Sequence, residues 1–411
     1  MRYWKKLTHE EISARIFSAL GKNVDYKKNA VLGVPASHLD DNVFFTDPSQ
    51  LSQAPFLSSL VKNPNHIGCH TLGDSEPFFK GTHDIEREVI NLCAEDILNG
   101  EAEGFDGYIA SGGTEANIQA IWMYRNLFVH QDEISSKDIV LLFSEDAHYS
   151  MFKAANLLNL TVGVIKVDEK SRALDVEDLK SKVDEFTTNG HSHFIVVANM
   201  MTTMFGSVDD IHAYTSTLKS KGVTYRVHID GAYGGFVYPV VSKNADLTFS
   251  NPEVSSVTLD AHKMVQAPYG TGIFICRKDL IHHVMTNEAQ YVQGMDLTLS
   301  GSRSGANAIS VWMILQTYGP YGWHEKIHLL NYRTDWLEKE LDALGVQYHR
   351  TDSSNIVTMR SEDIPDDLAH KYGLVPDSHN NNPKWYKIVI MDHVTLDSMQ
   401  PFITELAERK K

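Results

Sequence analysis

The segment Ser256–Lys263 reads SVTLDAHK, an apolar strand candidate that ends in Asp260, Ala261, His262 and Lys263. Polar side chains directly after a buried strand lie where doubly wound α/β folds place their ligands. A lysine at such a strand end, beside a histidine, could form a Schiff base with an aldehyde cofactor. The segment alone is a weak signal, because a lysine after a strand is most often a solvated loop residue.

Short apolar runs alternate with longer amphipathic runs on both sides of this segment. Strands rich in Val and Ile, separated by helices, indicate an α/β fold with a mainly parallel sheet covered on both faces. The predicted strands are Tyr108–Ala110, Ile139–Phe143, Val162–Val167, Phe194–Asn199, Arg226–Ile229, Ser256–Leu259 and Gly272–Cys276. The predicted helices are Thr82–Asn99, Glu115–Val129, Ser150–Leu158, Val176–Phe186 and Ile211–Lys221.

The pattern changes after about residue 305. A long helical stretch through Tyr332–Leu344 is followed by short strand candidates such as Ile356–Met359 and Lys387–Met391. This order indicates a smaller α+β domain at the C-terminal end. The predicted organisation is an N-terminal segment over residues 1–60, a large cofactor-binding domain over 61–305 and a small C-terminal domain over 306–411.

Composition restricts the class of partner. The chain has 411 residues with 37 Lys and Arg against 53 Asp and Glu, which gives a formal charge of −16. Such a charge argues against a nucleic acid or an anionic membrane as partner, but not against a small anionic ligand. Cys69, Cys93 and Cys276 show no paired spacing, so neither a disulfide framework nor a zinc site is expected. Without a secretory signal or a long apolar run, a cytoplasmic location is predicted.

A second strand candidate ends in an acidic residue within Val227–Gly235, VHIDGAYGG. Asp230 lies 33 positions before Lys263 and is followed by small residues. A carboxylate there suits pairing with a protonated pyridine nitrogen, because protonation makes the ring of pyridoxal phosphate a better electron sink. The alternative is an aspartate that caps the next turn, and this segment alone favours the alternative.

A phosphate site is indicated in Ala110–Asn117, ASGGTEAN, which follows a strand and opens a helix. Gly112 and Gly113 let the backbone approach an anion. Ser111 and Thr114 supply hydroxyls, and the helix N-terminus offers free N–H groups. The segment lacks G-x-G-x-x-G and the Walker lysine, so a dinucleotide site or a P-loop is disfavoured. A plain glycine turn with a capping hydroxyl is an equal alternative.

A histidine follows another strand candidate, in Glu145–Lys153, EDAHYSMFK. An imidazole at the position of His148 could stack on a flat cofactor ring and assist proton transfer. A lone histidine is usually structural, so His148 is a candidate site residue only because the other segments occur in the same chain.

The motifs ASGGTEAN, HYSMFKAA, TTMFGSVDD, HIDGAYGG, DAHK and GSRSGANA occur in this order. Together they resemble the group II pyridoxal-phosphate-dependent amino-acid decarboxylases, which act on glutamate, aspartate, histidine, tyrosine and aromatic amino acids. The resemblance runs from about residue 60 to residue 320. It implies fold type I of the aspartate aminotransferase class, pyridoxal 5′-phosphate as cofactor, and an obligate homodimer with active sites at the subunit interface.

The resemblance also implies roles for individual residues. By motif match, Lys263 forms the internal aldimine, Asp230 pairs with the pyridine nitrogen and His148 stacks on the ring. Ala232 lies against the opposite ring face, and His262 adds a contact. The implied phosphate cup consists of Ser111, Gly112, Gly113 and Thr114.

Two further loops carry implied roles. Thr203 faces the side of the cofactor's 3′-oxygen, although the family more often has glycine where this chain has Met201. Ser302 and Ser304 could reach the phosphate of the neighbouring subunit. Arg303 could bind a carboxylate or hold the dimer, and these alternatives are even.

The implied reaction is decarboxylation of an L-amino acid to its amine and CO₂, through an external aldimine and a quinonoid intermediate. His148 or Tyr291 could protonate Cα, with a structural interface role as the alternative for Tyr291. The rival functions are another reaction on this cofactor (carbon–carbon lyase, aminotransferase or decarboxylation-dependent oxidase) and a non-catalytic cofactor-binding protein.

Candidate substrate contacts lie in the N-terminal part of the chain. Asn65, His66, His70 and Thr71 form a polar set that suits acidic or imidazole substrates. A hydrogen-bonded interface loop is an equal alternative, and aspartate, glutamate, histidine and tyrosine are not separated. The expected partners are an amino-acid substrate and a second copy of the chain, with no metal, nucleic acid or membrane.

Overall fold

Two sheets and the helices around them make up the part of the chain that a computed structural model describes. The described residues are 80–242, 244–286 and 294–410, together with 30, 32–33, 42, 66–67 and 72–73. The strands are β1 (His66–Ile67), β2 (Phe105–Ala110), β3 (Ile139–Ser144), β4 (Thr161–Ile165), β5 (His193–Asn199), β6 (Thr224–Gly231), β7 (Val254–Asp260), β8 (Gly272–Arg277), β9 (Arg303–Ser304), β10 (Tyr348–His349), β11 (Ile356–Arg360), β12 (Val375–Pro376) and β13 (Trp385–Val389). The helices are α1 (Lys80–Asn91), α2 (Gly113–Gln131), α3 (Ser150–Leu158), α4 (Val176–Thr188), α5 (Ile211–Ser220), α6 (Tyr238–Val241), α7 (Gly305–Ala343), α8 (Asp366–Lys371) and α9 (Leu396–Arg409).

The larger sheet has seven strands in the order β2-β8-β7-β6-β5-β3-β4. Strands β3 to β7 pair in parallel, whereas β8 is antiparallel to both β7 and β2. The prediction of a mainly parallel sheet is therefore confirmed. The reversal at β8 follows from its connection to β7, which spans residues 261–271 without a helix and lets the chain turn straight back.

The predicted strands and helices of this sheet are all present, with ends that differ by a few residues. The predicted helix Thr82–Asn99 is present as α1 followed by a π-helical turn over Leu92–Ile97. Alternate residues of β3 enter different cores, because side chains of a strand point to opposite faces. Val140 and Leu142 pack with the core on one side of the sheet, and Leu141 packs with the core on the other.

The smaller sheet is antiparallel, in the order β10-β11-β13-β12. It lies in the C-terminal part of the chain, so the predicted α+β character of this part is confirmed. Helix α7 leads to it and is kinked at Gly319, which has φ 60° and ψ 178° and precedes Pro320. The division of the chain at residues 60 and 305 stays a prediction. Within the described residues, no helix is long and apolar enough to cross a membrane.

Candidate active site

Ten of the twelve predicted cofactor residues meet around one cavity of about 640 Å³ at the carboxyl ends of β5, β6 and β7. Parallel strands bring their carboxyl ends to the same edge, where open α/β sheets bind ligands. The predicted residues that line the cavity are Ser111, Gly112, Gly113, Thr114, His148, Thr203, Asp230, Ala232, His262 and Lys263. Their individual roles stay predictions, but their meeting at one place is a property of the fold.

Asp230 stands near the end of β6 and is only 7% exposed. Its Oδ2 accepts a hydrogen bond from Asn117 Nδ2 at 2.9 Å, and its Oδ1 accepts one from the Ala232 N–H at 3.1 Å. These two bonds hold the carboxylate in one orientation at the cavity wall. A carboxylate that is held in this way can pair with a cationic ring nitrogen.

A buried hydrogen-bond network lies behind Asp230. Asn117, on the first turns of α2, also faces His228 Nε2 with its amide oxygen at 3.0 Å. The other ring nitrogen of His228 lies 2.7 Å from the Ser256 hydroxyl, which accepts from the Tyr124 hydroxyl at 2.6 Å. Burial lowers the pKa of His228 to about 4, so its ring is neutral near pH 7.

His148 is held by the residue that opens α3. Its Nδ1 lies 2.8 Å from the Ser150 hydroxyl and accepts from the Ser150 N–H at 3.3 Å. Burial lowers the pKa of His148, and the charge of Lys263 adds to this effect against the opposing charge of Asp230. A neutral imidazole with an occupied Nδ1 carries its proton on Nε2.

The phosphate-cup segment leads from β2 into α2, and close approach requires glycine at Gly113 within it and at Gly272 beside it. A Cβ on Gly113 would lie 3.1 Å from the Ala232 Cβ, and one on Gly272 would collide with the Gly112 backbone. The Gly113 N–H donates to Asp260 Oδ2 at 3.1 Å. This turn therefore stays narrow and exposes backbone at the N-terminus of a 19-residue helix.

The Ser111 hydroxyl is already engaged within the chain. It donates to the carboxylate of Glu115, which also accepts from the Ser111 N–H at 2.9 Å and from the Ser300 hydroxyl at 2.9 Å. In this state the proton of the Ser111 hydroxyl points at Glu115 rather than into the cavity. Because the N–H groups of Ser111 and Gly113 also bond to carboxylates, the N–H groups of Gly112 and Thr114 and the Thr114 hydroxyl remain as candidate donors of the cup.

Lys263 follows β7 in a turn built around Asp260. The Asp260 carboxylate lies 2.7 Å from Nδ1 of His262, whose ring packs against Tyr269 with centroids 4.8 Å apart. The Lys263 N–H donates to the Asp260 carbonyl at 3.2 Å. One aspartate therefore fixes both the imidazole and the start of the turn that carries the lysine.

The loop with Thr203 contains a strained residue. Met201 has φ 62° although it is not glycine, is 2% exposed, and lines the cavity. The backbone here needs the left-handed conformation that glycine adopts at low cost, which is the residue the family more often has. The neighbouring Thr202 closes the loop by bonds to Ser207, with the two hydroxyls 2.7 Å apart.

Lys387 of β13 is a buried cation beside the cavity that sequence reasoning missed. It is 4% exposed, and its Nζ donates to the Thr203 carbonyl at 2.8 Å. Burial, together with the nearby charge of Lys263, lowers its pKa to about 8. The only signal in the sequence was a lysine inside an otherwise apolar strand, WYKIV.

The residues of the GSRSG motif lie apart from the cavity lining. Ser302 and Ser304 are exposed next to the N-terminus of α7. Arg303 forms a buried ion pair with Glu86 and donates to the Ile109 carbonyl at 3.1 Å. Its guanidinium is thus paired within its own chain, and we leave it out of the proposed substrate contacts.

The remaining predicted residues are described in part or not at all. Tyr291 and His70 lie outside the described residues, as do Asn65 and Thr71. His66 is described only as part of the backbone of β1, which pairs with β9. Their roles stay predictions.

Asn117 and His228 were present in the quoted motifs but were not recognised as site residues. His228 stands two positions before Asp230, and strand alternation places both on the same face. That spacing was the available signal for His228. Asn117 had none, because a helix residue meets a strand residue 113 positions away only through packing.

Comparison with known proteins identifies relatives over most of the chain. Residues 82–347 match the family model described as the pyridoxal-dependent decarboxylase conserved domain. A tryptophan decarboxylase from Clostridium sporogenes is 47% identical over 411 residues, which is 100% of this chain and 99% of that protein. A probable L-tyrosine/L-aspartate decarboxylase from Methanocella arvoryzae is 33% identical over 85% of this chain and 92% of its own length.

Solved structures show the same fold at low sequence identity. The L-methionine decarboxylase from Streptomyces sp. 590 aligns with a TM-score of 0.79 at 20% identity, over 98% of this chain and 95% of that one. A glutamate decarboxylase from Lactobacillus brevis aligns with a TM-score of 0.78 at 16% identity, over 99% and 93%. The expected fold type I architecture is thereby confirmed.

Proposed function

Because this chain belongs to the pyridoxal-dependent decarboxylase family, we propose that its substrate is an aromatic L-amino acid, with L-tryptophan as the first candidate. The reaction is that of the family, decarboxylation of an L-amino acid with pyridoxal 5′-phosphate as cofactor. The observation that carries the choice of substrate is the 47% identity to a tryptophan decarboxylase over the whole chain, against 33% to the tyrosine/aspartate relative.

The cavity supports an aromatic side chain as well. Among its lining residues, Met201, Met204, Tyr149 and Tyr233 contribute apolar or aromatic surface on the described side. Thioether and aromatic groups pack favourably against a flat ring. Of the polar set expected at residues 65–71, only the backbone of His66 is described, and the role of the set stays a prediction.

The donor set fits pyridoxal 5′-phosphate. The narrow turn at Gly112 and Gly113 offers the N–H groups of Gly112 and Thr114 and a helix N-terminus to a phosphate monoester. Asp230 offers a fixed carboxylate to a ring nitrogen, and Lys263 offers a primary amine to an aldehyde. When bound, this cofactor supplies the electron sink for the electron pair released from the Cα–carboxylate bond.

The residues around the cavity then have separate tasks. Lys263 binds the cofactor through Nζ and yields this place to the substrate amine. Asp230 holds a proton at the ring nitrogen through Oδ1 or Oδ2. His148 would hold the cofactor ring by stacking, and its Nε2–H would be available as a proton donor.

We propose that the charge of Lys387, which stands behind the Thr203 loop rather than in the cavity lining, attracts the carboxylate of the substrate. Among the described residues no carboxylate lies within ion-pair distance of Nζ, and its one hydrogen-bond acceptor is a backbone carbonyl on the cavity loop. A buried ammonium without an anionic partner is costly, and an entering carboxylate relieves that cost. The same pairing orients the leaving group.

We propose a homodimer as the working form. Ser302 and Ser304 are exposed beside β9, and the aromatic residues Tyr149, Phe152 and Tyr269 are exposed near the cavity by 58%, 52% and 67%. Exposed aromatic surface next to a site is typical of an interface. A second copy of the chain would cover this surface and complete the site. The cytoplasmic location stays a prediction.

The experiment that tests the substrate is a panel of the twenty amino acids, with CO₂ and amine products measured for the holoenzyme. We expect tryptamine from L-tryptophan, with kcat/KM at least about tenfold above that for aspartate and glutamate, since those side chains would bury a charge in the pocket. Preferred release of CO₂ from aspartate or glutamate would overturn the aromatic assignment.

A further inference from the structure

Asn117 is hydrogen-bonded to three polar groups at once. One of them, Asp230, is a proposed cofactor contact, and another, Ser150, holds the proposed cofactor contact His148. Its Nδ2 donates to Asp230 at 2.9 Å and to the Ser150 hydroxyl at 3.2 Å, while its Oδ1 lies 3.0 Å from His228 Nε2. Asn117 is 1% exposed, and these partners are buried with it. One side-chain amide therefore joins parts of α2, α3 and β6.

The chemistry of these partners fixes the direction of each bond. A carboxylate only accepts, so the amide nitrogen of Asn117 faces Asp230 and its oxygen faces His228. That oxygen requires a proton on His228 Nε2, which leaves Nδ1 of the neutral ring to accept from the Ser256 hydroxyl. Ser256 in turn accepts from Tyr124. Every donor in this chain points toward Asp230, and such aligned bonds reinforce one another.

A second arm leads to His148. The second Asn117 N–H occupies a lone pair of the Ser150 hydroxyl, which turns the hydroxyl proton toward His148 Nδ1 at 2.8 Å. The imidazole proton is thereby left on Nε2. Without Asn117, the Ser150 hydroxyl is free to rotate, and the longer bond from the Ser150 N–H to Nδ1, at 3.3 Å, is left to favour the Nε2 tautomer of His148.

We propose that Asn117 is a positioning residue that supports, through one side-chain amide, both the Asp230 carboxylate that would pair with the cofactor nitrogen and the Ser150 hydroxyl that bonds His148 Nδ1. Loss of the amide removes one donor from the carboxylate and, at the same time, the group that orients the Ser150 hydroxyl toward the imidazole. The inference rests on the proposed function only in that the cofactor binds at Asp230 and His148. It does not depend on which amino acid is decarboxylated.

The first test follows the ring nitrogen of the cofactor directly. In Asn117→Ala holoenzyme carrying ¹⁵N-labelled pyridoxal phosphate, we expect the nitrogen resonance to move from the protonated toward the unprotonated range. We also expect kcat to fall about 10–100-fold, as for residues that orient a catalytic ligand, with KM changed less than threefold. Asn126→Ala is the matched control, because Asn126 is a buried amide of the same helix whose Nδ2 donates to the His283 carbonyl at 2.9 Å, away from Asp230 and His148.

The second test uses Asn117→Asp, which keeps the side-chain shape if alanine fails to fold. A protonated Asp at this position still donates to Asp230, whereas an ionised one repels it. We therefore expect the kcat of Asn117→Asp to fall between pH 6 and pH 8. This fall should exceed any change in the wild-type kcat over the same range by at least tenfold. A pH profile that superimposes on wild type, or an unshifted nitrogen resonance in Asn117→Ala, would overturn the proposal. Wild-type enzyme with a protonated nitrogen signal but no activity on aromatic amino acids would instead refute only the substrate assignment.

Discussion

At the scale of single residues, the site combines groups whose charges are set by burial and by neighbours. Lys387 and Lys263 are two lysines close enough for one to lower the pKa of the other, and only Lys263 lines the cavity. His148 and His228 are both kept neutral by burial. Burial thus favours the neutral forms of His148 and His228, which lie around the Asp230 carboxylate that hydrogen bonds hold in place.

Lys263→Ala removes the amine that binds the cofactor aldehyde. We expect the visible absorbance band of the bound cofactor to disappear in the purified variant, together with at least about a 10³-fold loss of turnover, since Lys263 is the lysine among the described residues that line the cavity. Lys278→Ala is the control, because Lys278 follows β8 on the surface. A retained visible band in Lys263→Ala would refute the assignment.

Lys387→Met tests the cost of a buried cation. With a pKa of about 8 in the folded chain and about 10.4 when unfolded, Lys387 binds fewer protons in the folded state between these values. The free energy of unfolding contributed by this group therefore rises with pH across this window and is lowest below pH 8. We expect the cofactor-free variant to be more stable at pH 7 by about 1–3 kcal/mol, and less so at pH 10.

The measurement for Lys387→Met is thermal unfolding at both pH values, with KM for the substrate on the loaded enzyme. KM should rise at least tenfold if the ammonium binds the substrate carboxylate. Lys384→Met is the matched control, because the Lys384 side chain is 69% exposed. An unchanged KM would leave Lys387 as a structural residue.

At the scale of elements, the antiparallel strand β8 shapes the phosphate cup from behind. Gly272 begins β8 and pairs with Ala110, the last residue of β2. The backbone of Gly112 occupies the place that a side chain on Gly272 would take. The shape of the cup therefore depends on direct contact between the backbones of Gly112 and Gly272. Any side chain on Gly272 would push them apart.

Gly272→Ala should displace the Gly112 backbone and misplace the N–H groups of the cup. We expect the dissociation constant of the cofactor to rise at least about tenfold, corresponding to a free-energy loss of about 1.4 kcal/mol or more, measured by titration of the apoenzyme. Gly322→Ala serves as control, since its added Cβ meets only Tyr318 atoms, at 3.6 Å. Equal cofactor affinity in both variants would contradict the close-contact explanation.

At the scale of the whole molecule, the C-terminal sheet and the larger sheet contribute to the same site. Lys387 reaches the cavity loop from β13, and Asp377, in the segment between β12 and β13, lines the cavity. The site is thus built where the two sheets approach each other. The proposed second subunit would add the exposed hydroxyls of Ser302 and Ser304 to it.

Mixing two inactive variants tests this dimer. If Ser302 and Ser304 serve the neighbouring subunit, a Lys263→Ala chain and a Ser302→Ala/Ser304→Ala chain form one intact site in each mixed dimer. An equimolar, re-associated mixture should regain about a quarter of the wild-type sites, measured as CO₂ release above the sum of the two variants. No gain in a mixture shown to contain mixed dimers would place these serines outside the partner's site.

The positions of the main elements were predictable because each is encoded locally. Val- and Ile-rich runs such as Ile139–Ser144 are buried on both faces, and amphipathic runs such as Val176–Thr188 cover them. The direction of β8 and the kink of α7 depend on short connections and on Gly319–Pro320. They were not predicted, because hydrophobic periodicity reports burial and not chain direction.

The sequence by itself determined the family, the cofactor and the set of chemically active residues that line one cavity, since strand ends with Asp230 and Lys263 carry recognisable motifs. The tertiary structure alone decided which groups interact. It paired Arg303 with Glu86, turned the Ser111 hydroxyl toward Glu115 and brought Lys387 to the Thr203 loop. These contacts join residues of different elements or depend on exact backbone geometry, so they form only when helices and sheets pack, and no local pattern encodes them.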